Sequence, residues 1–150
     1  MTENNRILGL DYGSKTVGVA ISDPLLLTAQ GLEIIRREKP TKLRRTIARI
    51  GQIIDEYHVN RIVVGLPKNM DGTEGERCEL SRAFAKMLEE KFDLDVEMYD
   101  ERLTTVAADN AMKEVGIDHH TERKKYVDEI AAMLILQGYM DRRSNEVNNG

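Results

Sequence analysis

The stretch RILGLDYGSKTVGVAISD, residues 6–23, constrains the fold more than any other part of the chain. Residues 7–10 form a continuous apolar run, the mark of a strand covered on both faces. Residues 16–22 alternate, with Val17, Val19 and Ile21 on one side and Thr16, Gly18, Ala20 and Ser22 on the other. The link between them is short and carries Gly13 and Ser14, so the two runs are expected to pair as an antiparallel hairpin. The first run ends in Asp11. A carboxylate at the end of a buried strand is costly unless something pairs with it. The rest of the chain should supply that partner.

Beyond the hairpin the pattern alternates. GLEIIRR reads as a third strand. Pro40 and Thr41 are expected to open a helix, with Thr41 as its N-cap and Leu43, Ile47, Ile50, Ile54 and Tyr57 as its apolar stripe. RIVVGLP is a buried strand stopped by Pro67, and KNMDGTEGE is a glycine-bearing loop. A second amphipathic helix carries Leu80, Phe84, Met87 and Leu88. DVEMYDE is a strand that again ends in carboxylates. Thr104 or Thr105 caps a short helix through Val115. A last helix runs from about Glu122 to Arg142, its centre IAAMLIL apolar nearly all round. The order β-β-β-α-β-α-β-α-α implies an α/β fold, a mixed sheet with helices on its faces. A length of 150 residues with 41% hydrophobic content suits one core. One domain is therefore expected over 1–142, with 143–150 as a disordered tail.

A net charge of −4 excludes a globally basic nucleic-acid binder. The positive charge is clustered, however. IIRREKPTKLRR holds Arg36, Arg37, Lys39, Lys42, Arg44 and Arg45, and ERKKY holds Arg123, Lys124 and Lys125. Such clusters are ordinary solvated surface unless they flank a site. No segment reads as a signal peptide or membrane span. The lone Cys78 reads as a small residue at a helix start and fits a reducing cytosol, so a cytoplasmic location is expected.

In a sheet of this kind a site forms at the carboxyl ends of neighbouring strands. Asp11 lies at one such end, and Asp100 with Glu101 at another. Asp128 lies in the first turns of the last helix and shares a face with Ala132 and Ile135. At a helix start it would simply suit the dipole. On an inward face it would look toward the other acids. Converging carboxylates repel one another unless a cation joins them. Oxygen ligands without thiolates select Mg²⁺ or Mn²⁺, and two such ions can clamp the oxygens of a phosphodiester.

RILGLDYGSKTVGVAISD, TAQGLEII, IVVGLPKNMDGTEGERCE, YDERLTT and RKKYVDEIAAMLILQGYMD, in that order, resemble the YqgF family, also called RuvX. The resemblance spans nearly the whole chain. It implies a ribonuclease H-like mixed sheet of five strands flanked by helices. The family's members are described as Holliday junction resolvases and as nucleases for the 5′ end of pre-16S ribosomal RNA. The resemblance also implies that Asp11, Glu101 and Asp128 form the acidic, metal-binding catalytic triad.

The remaining motif residues suggest nucleic-acid contacts. Lys15 sits in the hairpin turn beside Asp11. Lys68, Asn69 and Gly72 lie between a buried strand and a helix N-terminus, where backbone N–H groups hold phosphates. Arg77 in a first helical turn opposes the dipole, which hints at an anion nearby. Lys125 precedes Asp128 by about one turn. Arg102 should face away from Glu101 and act as a salt-bridge partner. His58 reads as surface at a helix end, and His119 and His120 as loop residues able to assist proton transfer. With few aromatics, backbone and shape recognition are expected rather than base stacking. The expected activity is a divalent-metal-dependent nuclease acting on precursor ribosomal RNA, or alternatively on Holliday junctions. A non-catalytic nucleic-acid-binding module is the lesser alternative. LGLDYGSKT also resembles the first phosphate motif of actin-like and sugar-kinase ATPases, but those clamp nucleotide between two domains and need a longer chain. A junction resolvase would need a homodimer and an RNA trimmer only a monomer; the sequence leaves this open.

Overall fold

The computed structural model describes residues 6–102 and 120–149, with side chains described over 6–102 and 130–144. Five strands, β1 (Arg6–Tyr12), β2 (Thr16–Ser22), β3 (Ala29–Arg36), β4 (Val59–Leu66) and β5 (Asp95–Asp100), form one sheet in the order β3-β2-β1-β4-β5. The described helices are α1 (Arg44–Tyr57), α2 (Glu76–Phe92) and α3 (His120–Asn149). The hairpin forms as expected, with Leu10 opposite Val19 and Asp11 opposite Gly18. β2 and β3 continue antiparallel, while β4 joins β1 in parallel and β5 joins β4 in parallel. This is the mixed sheet that the element order implied. Its geometry brings the ends of β1, β3, β4 and β5 to a single edge.

The two faces carry separate cores. Leu8, Leu10, Val17, Val19, Ile62 and Val64 meet Ile50 and Ile53 of α1 and Phe84 and Leu88 of α2. On the other face Ile7, Ala20 and Val63 meet Ala132, Ile135, Leu136 and Met140 of α3. β1 is therefore covered on both sides, and each of its apolar residues is consumed by one helix layer or the other.

Several local expectations need correction. Thr41 does not cap α1; Lys39–Leu43 form turns, with Lys42 N–H donating to Lys39 C=O, and the helix starts at Arg44 behind Leu43. Leu80 and Met87 are exposed on α2, and Cys78, Ser81 and Ala85 take the buried positions instead. Helix α3 starts at His120 and runs through Asn149, past the expected end at Arg142, so 143–149 carry helical backbone where composition suggested a disordered tail. The expected short helix from Thr104 or Thr105 to Val115 lies outside the described residues, as do His119 and the side chains of Arg123, Lys124 and Lys125. No described helix is long and apolar enough to cross a membrane.

A candidate acidic site at the carboxyl edge of the sheet

Strand alternation puts Ile7, Gly9 and Asp11 on the α3 face of β1. Gly9 is where the helix touches the strand: a Cβ there would lie 2.7 Å from Leu136 Cβ and 3.2 Å from the Ala132 carbonyl. Gly65 plays the same part on β4. A side chain at 65 would overlap Glu101 Oε2 and approach Ile135 Cδ1 at 2.6 Å. Glu101 follows β5 directly, and its N–H donates to the Leu66 carbonyl at 3.2 Å. Its carboxylate thus occupies the space that glycine leaves open on the neighbouring strand. Glu101 is only 7% exposed. Leu10 pairs with Val64, so Asp11 and Gly65 come next on adjacent strands. Asp11, partly buried, and Glu101 therefore share one face and one edge, although their strands are not hydrogen-bonded neighbours.

Helix α3 runs antiparallel to β1. Ala132 and Leu136 meet Gly9, and further along Gln137 reaches the β2–β3 connection, accepting from Ala29 N–H and donating to Leu27 C=O. Asp128 lies one turn before Ala132, an advance of about 6 Å along the helix. The step from Gly9 to Asp11 is about 7 Å along the strand. The backbone at 128 comes level with Asp11; its side chain lies outside the described residues. Among the described residues no cluster of three or more His, Cys, Asp or Glu side chains could hold a metal. The donors that share this face and edge are carboxylates, and the glycine cradle at 65 gives Glu101 room to present its oxygens. That chemistry fits a hard divalent cation.

Beside the acids opens a cleft of about 270 Å³ lined by Lys68, Asn69, Arg77, Glu101 and Arg102. Helix α2 starts at its wall, with Gly75 as N-cap, no side-chain cap, and Gly75, Glu76 and Arg77 lining the cleft, so its first turn is left without a side-chain acceptor beside it. The loop before it braces itself. Asn69 Nδ2 donates to Thr73 Oγ1 at 2.9 Å, Thr73 Oγ1 donates to Asp71 at 2.6 Å, and Gly72 turns the chain at φ 90°. One of Asn69's two amide N–H donors is thereby taken up, which orients the side chain and leaves the second N–H and the carbonyl oxygen for a ligand. Arg102 pairs with Asp100 at 2.8 Å, the salt-bridge role expected of it. Burial alone would raise the Asp100 pKa, but the hydrogen bonds and charge of Arg102, with Lys68 beyond, outweigh this and hold it below its ordinary value.

Lys15 is exposed in the hairpin turn at the same edge. The end of β3 lies beside it, since Thr16 pairs with Arg36 and Arg37 N–H donates to Lys15 C=O at 2.8 Å. The basic segment 36–45 therefore flanks the acids on the side opposite Lys68 and Arg77. Arg37 departs from the solvated cluster to which its sequence neighbours belong: it is buried. Lys125 lies in α3 ahead of Asp128, and neither side chain is described. Exposed His58 ends α1 in a left-handed conformation, as surface at a helix end. Cys78 is fully buried at the start of α2. Sequence reasoning missed Gly65 and Arg37. Gly65 had a signal, because a glycine inside a buried strand marks a close approach. Arg37 had none.

The family model described as RuvX, Holliday junction resolvase, matches residues 5–142. A protein of Agathobacter rectalis named "Putative pre-16S rRNA nuclease" is 64% identical over 140 residues, covering 93% of this chain and 97% of its own. A protein of Lachnospira eligens with the same name is 55% identical, covering 92% and 98%. Among solved structures, RuvC of T. thermophilus in complex with a Holliday junction substrate aligns with a TM-score of 0.60 at 14% identity, covering 93% and 96%. The fowlpox virus Holliday junction resolvase aligns with a TM-score of 0.52 at 14% identity, covering 92% and 99%. At such identities the likeness establishes the fold, which is ribonuclease H-like.

Proposed function

This chain belongs to the RuvX family, and from that premise we propose that it is a divalent-metal-dependent nuclease that trims the 5′ end of precursor 16S ribosomal RNA in the cytoplasm. The observation that carries the reading is that Asp11 and Glu101 share the α3 face and the carboxyl edge, with the Glu101 carboxylate seated over Gly65, the next residue beside Asp11 on the neighbouring strand. Asp11, Glu101 and Asp128 are the residues that would hold Mg²⁺ or Mn²⁺, as one ion or two. When bound, such ions stabilise charge on the attacking and leaving oxygens of a phosphodiester. The chain's own residues supply binding and alignment. Lys68, Arg77 and the open N-terminus of α2 receive the phosphate at the cut, with Asn69 at the cleft wall. Lys15 and Lys125 extend the backbone contact along the strand. None of these contacts reads a base edge, so recognition rests on backbone and shape.

A second reading, cleavage of a four-way DNA junction, is favoured by the description of the matching family. It requires a homodimer with two sites, whereas RNA trimming proceeds with a monomer. One assay separates them. The purified protein meets a precursor RNA spanning the mature 5′ end and a synthetic four-way junction, each with Mn²⁺, Mg²⁺ or EDTA. Metal-dependent cutting of the RNA alone is expected. Symmetric cutting of the junction alone would replace the RNA reading, and full cutting in EDTA would overturn the metal-dependent mechanism.

A further inference from the structure

We propose that Arg37 is a positioning residue for Asp11, clamping the two residues that follow it. Arg37 is only 9% exposed, and no carboxylate pairs with its guanidinium among the described residues. Its Nη2 donates to the Gly13 carbonyl at 2.6 Å, and its Nε donates to the Pro40 carbonyl at 3.3 Å. Its plane lies 4.9 Å over the ring of Tyr12, and that ring stacks on Phe84 with centroids 4.2 Å apart. Nη1 is buried with no hydrogen-bond partner among the described residues.

This is an expensive way to fill space. A buried cation without a carboxylate keeps a large desolvation penalty, and an apolar side chain of similar volume would sit there at less cost. What the arginine provides is geometry. Tyr12 is held through its ring and Gly13 through its carbonyl, while Gly13 N–H is held by Thr16 C=O at 2.7 Å. On the other side of Asp11, Leu10 is locked between Val19 and Val64. The backbone at Asp11 is thus fixed from both directions at the point where β1 leaves its pairing with β4. Arg37 N–H also binds Lys15 C=O, so the same residue fixes the turn that presents Lys15. Aromatic stacking and cation–π contact on Tyr12 exclude that ring from any role in binding bases.

The proposal rests on the reading of Asp11 as a metal-bearing carboxylate, and the experiment keeps the two apart. Arg37→Ala and Arg37→Lys are made in the full chain and compared with the parent by amide hydrogen exchange, without metal or substrate. Exchange at Gly13 should rise about tenfold or more in Arg37→Ala while Leu8 and Leu10 keep parental protection. In the RNA assay with Mn²⁺, turnover at saturating RNA should fall about 100-fold, the size expected of a displaced reacting group. The RNA concentration for half-saturation should stay within about twofold. Added methylguanidinium should restore part of the Arg37→Ala turnover, and Arg37→Lys should fall between the two. Unchanged exchange at Gly13 overturns the clamp whatever the activity. Parental turnover with weakened RNA affinity makes Arg37 a phosphate contact and overturns it as well. Loss of protection across the whole sheet in both variants makes it a general stability residue, a third refutation. A parent that cuts no nucleic acid defeats the functional reading alone, since exchange still decides the clamp.

Discussion

The two faces of the sheet pack differently. The face under α1 and α2 is filled by large branched and aromatic side chains, among them Leu8, Leu10, Ile53, Ile62 and Phe84. Its job is energetic, since each such side chain contributes roughly 1.5–3 kcal/mol on burial. The face under α3 also buries large side chains, Ile7, Val63, Ile135 and Leu136 among them, but interleaves them with Gly9, Ala20, Gly65, Ala132 and Gly138, and these small residues bring helix and strands close. Gly138 meets the Tyr99 hydroxyl where a Cβ would collide. Only this second face ends in Asp11 and Glu101. The difference teaches that close approach of the layers, which the site needs, is confined to one side of the sheet, while the other side is free to fill with bulk.

The largest effect is expected from the acids. Asp11→Asn and Glu101→Gln should each lower cleavage on the order of 10³-fold, about 4 kcal/mol of barrier, without lowering the melting temperature in EDTA. Asp128→Asn should behave alike, and its metal-free form should melt higher than the parent, because one of several converging negative charges is removed. Asp128→Asn protein that melts lower in EDTA yet cuts at the parental rate would show that this acid caps the helix and does not belong to the site.

Next comes a matched pair of core substitutions. Ile53→Ala, on the α1/α2 face, should cost about 2–5 kcal/mol in chemical denaturation while each folded molecule keeps its turnover. Gly65→Ala, on the α3 face, should cost less stability, about 1–3 kcal/mol, yet reduce turnover about 100-fold by pushing the Glu101 carboxylate aside. The reverse pattern would erase the distinction between the faces.

A smaller effect is expected at the cleft. Lys68→Ala and Arg77→Ala should weaken binding to RNAs of any sequence and flatten the slope of log affinity against log salt by about 0.7 each, as for one lost single-strand phosphate contact. Parallel salt plots for parent and variants would make both residues ordinary surface.

The smallest effect concerns pH. Arg102 holds the Asp100 pKa below its ordinary value of 3.8. A depressed carboxyl stabilises the fold above the unfolded-state pKa and loses that contribution as pH falls through the folded value. The pair is about one third exposed, so its worth is within about 1 kcal/mol. Arg102→Ala should therefore melt slightly below the parent at pH 7, and the gap should close as pH falls below about 3.8. A gap that persists unchanged at pH 2 would assign Arg102's contribution to packing.

Much of this was legible in the chain because it depends on near neighbours. The hairpin at residues 6–22 follows from two apolar runs and a short glycine link, and the parallel strands follow from apolar runs separated by amphipathic helices. Asp11 stood out as an acid at the end of a doubly buried strand. Thr41 misled, because a cap is chosen by where the chain arrives, and Lys39–Leu43 turn before the helix begins. Leu80 and Met87 misled as well, because an apolar stripe says which face can be buried and not how wide the facing sheet is. Arg37 and Arg36 are adjacent in sequence, one buried and one exposed; the parity of β3 and its pairing with the hairpin turn decide which is which.

The sequence by itself determined the elements, the α/β order and an acid at the end of the first strand, since periodicity, turns and strand-end charges are local properties of the chain. Only the tertiary structure decided that Glu101 sits over Gly65, that α3 crosses β1 at Gly9 with its earlier turns toward Asp11, and that Arg37 turns inward to hold Gly13. Those contacts join residues from strands, helix and turn far apart along the chain. Their distances are set by how closely glycine and alanine let the layers approach, which no local pattern encodes.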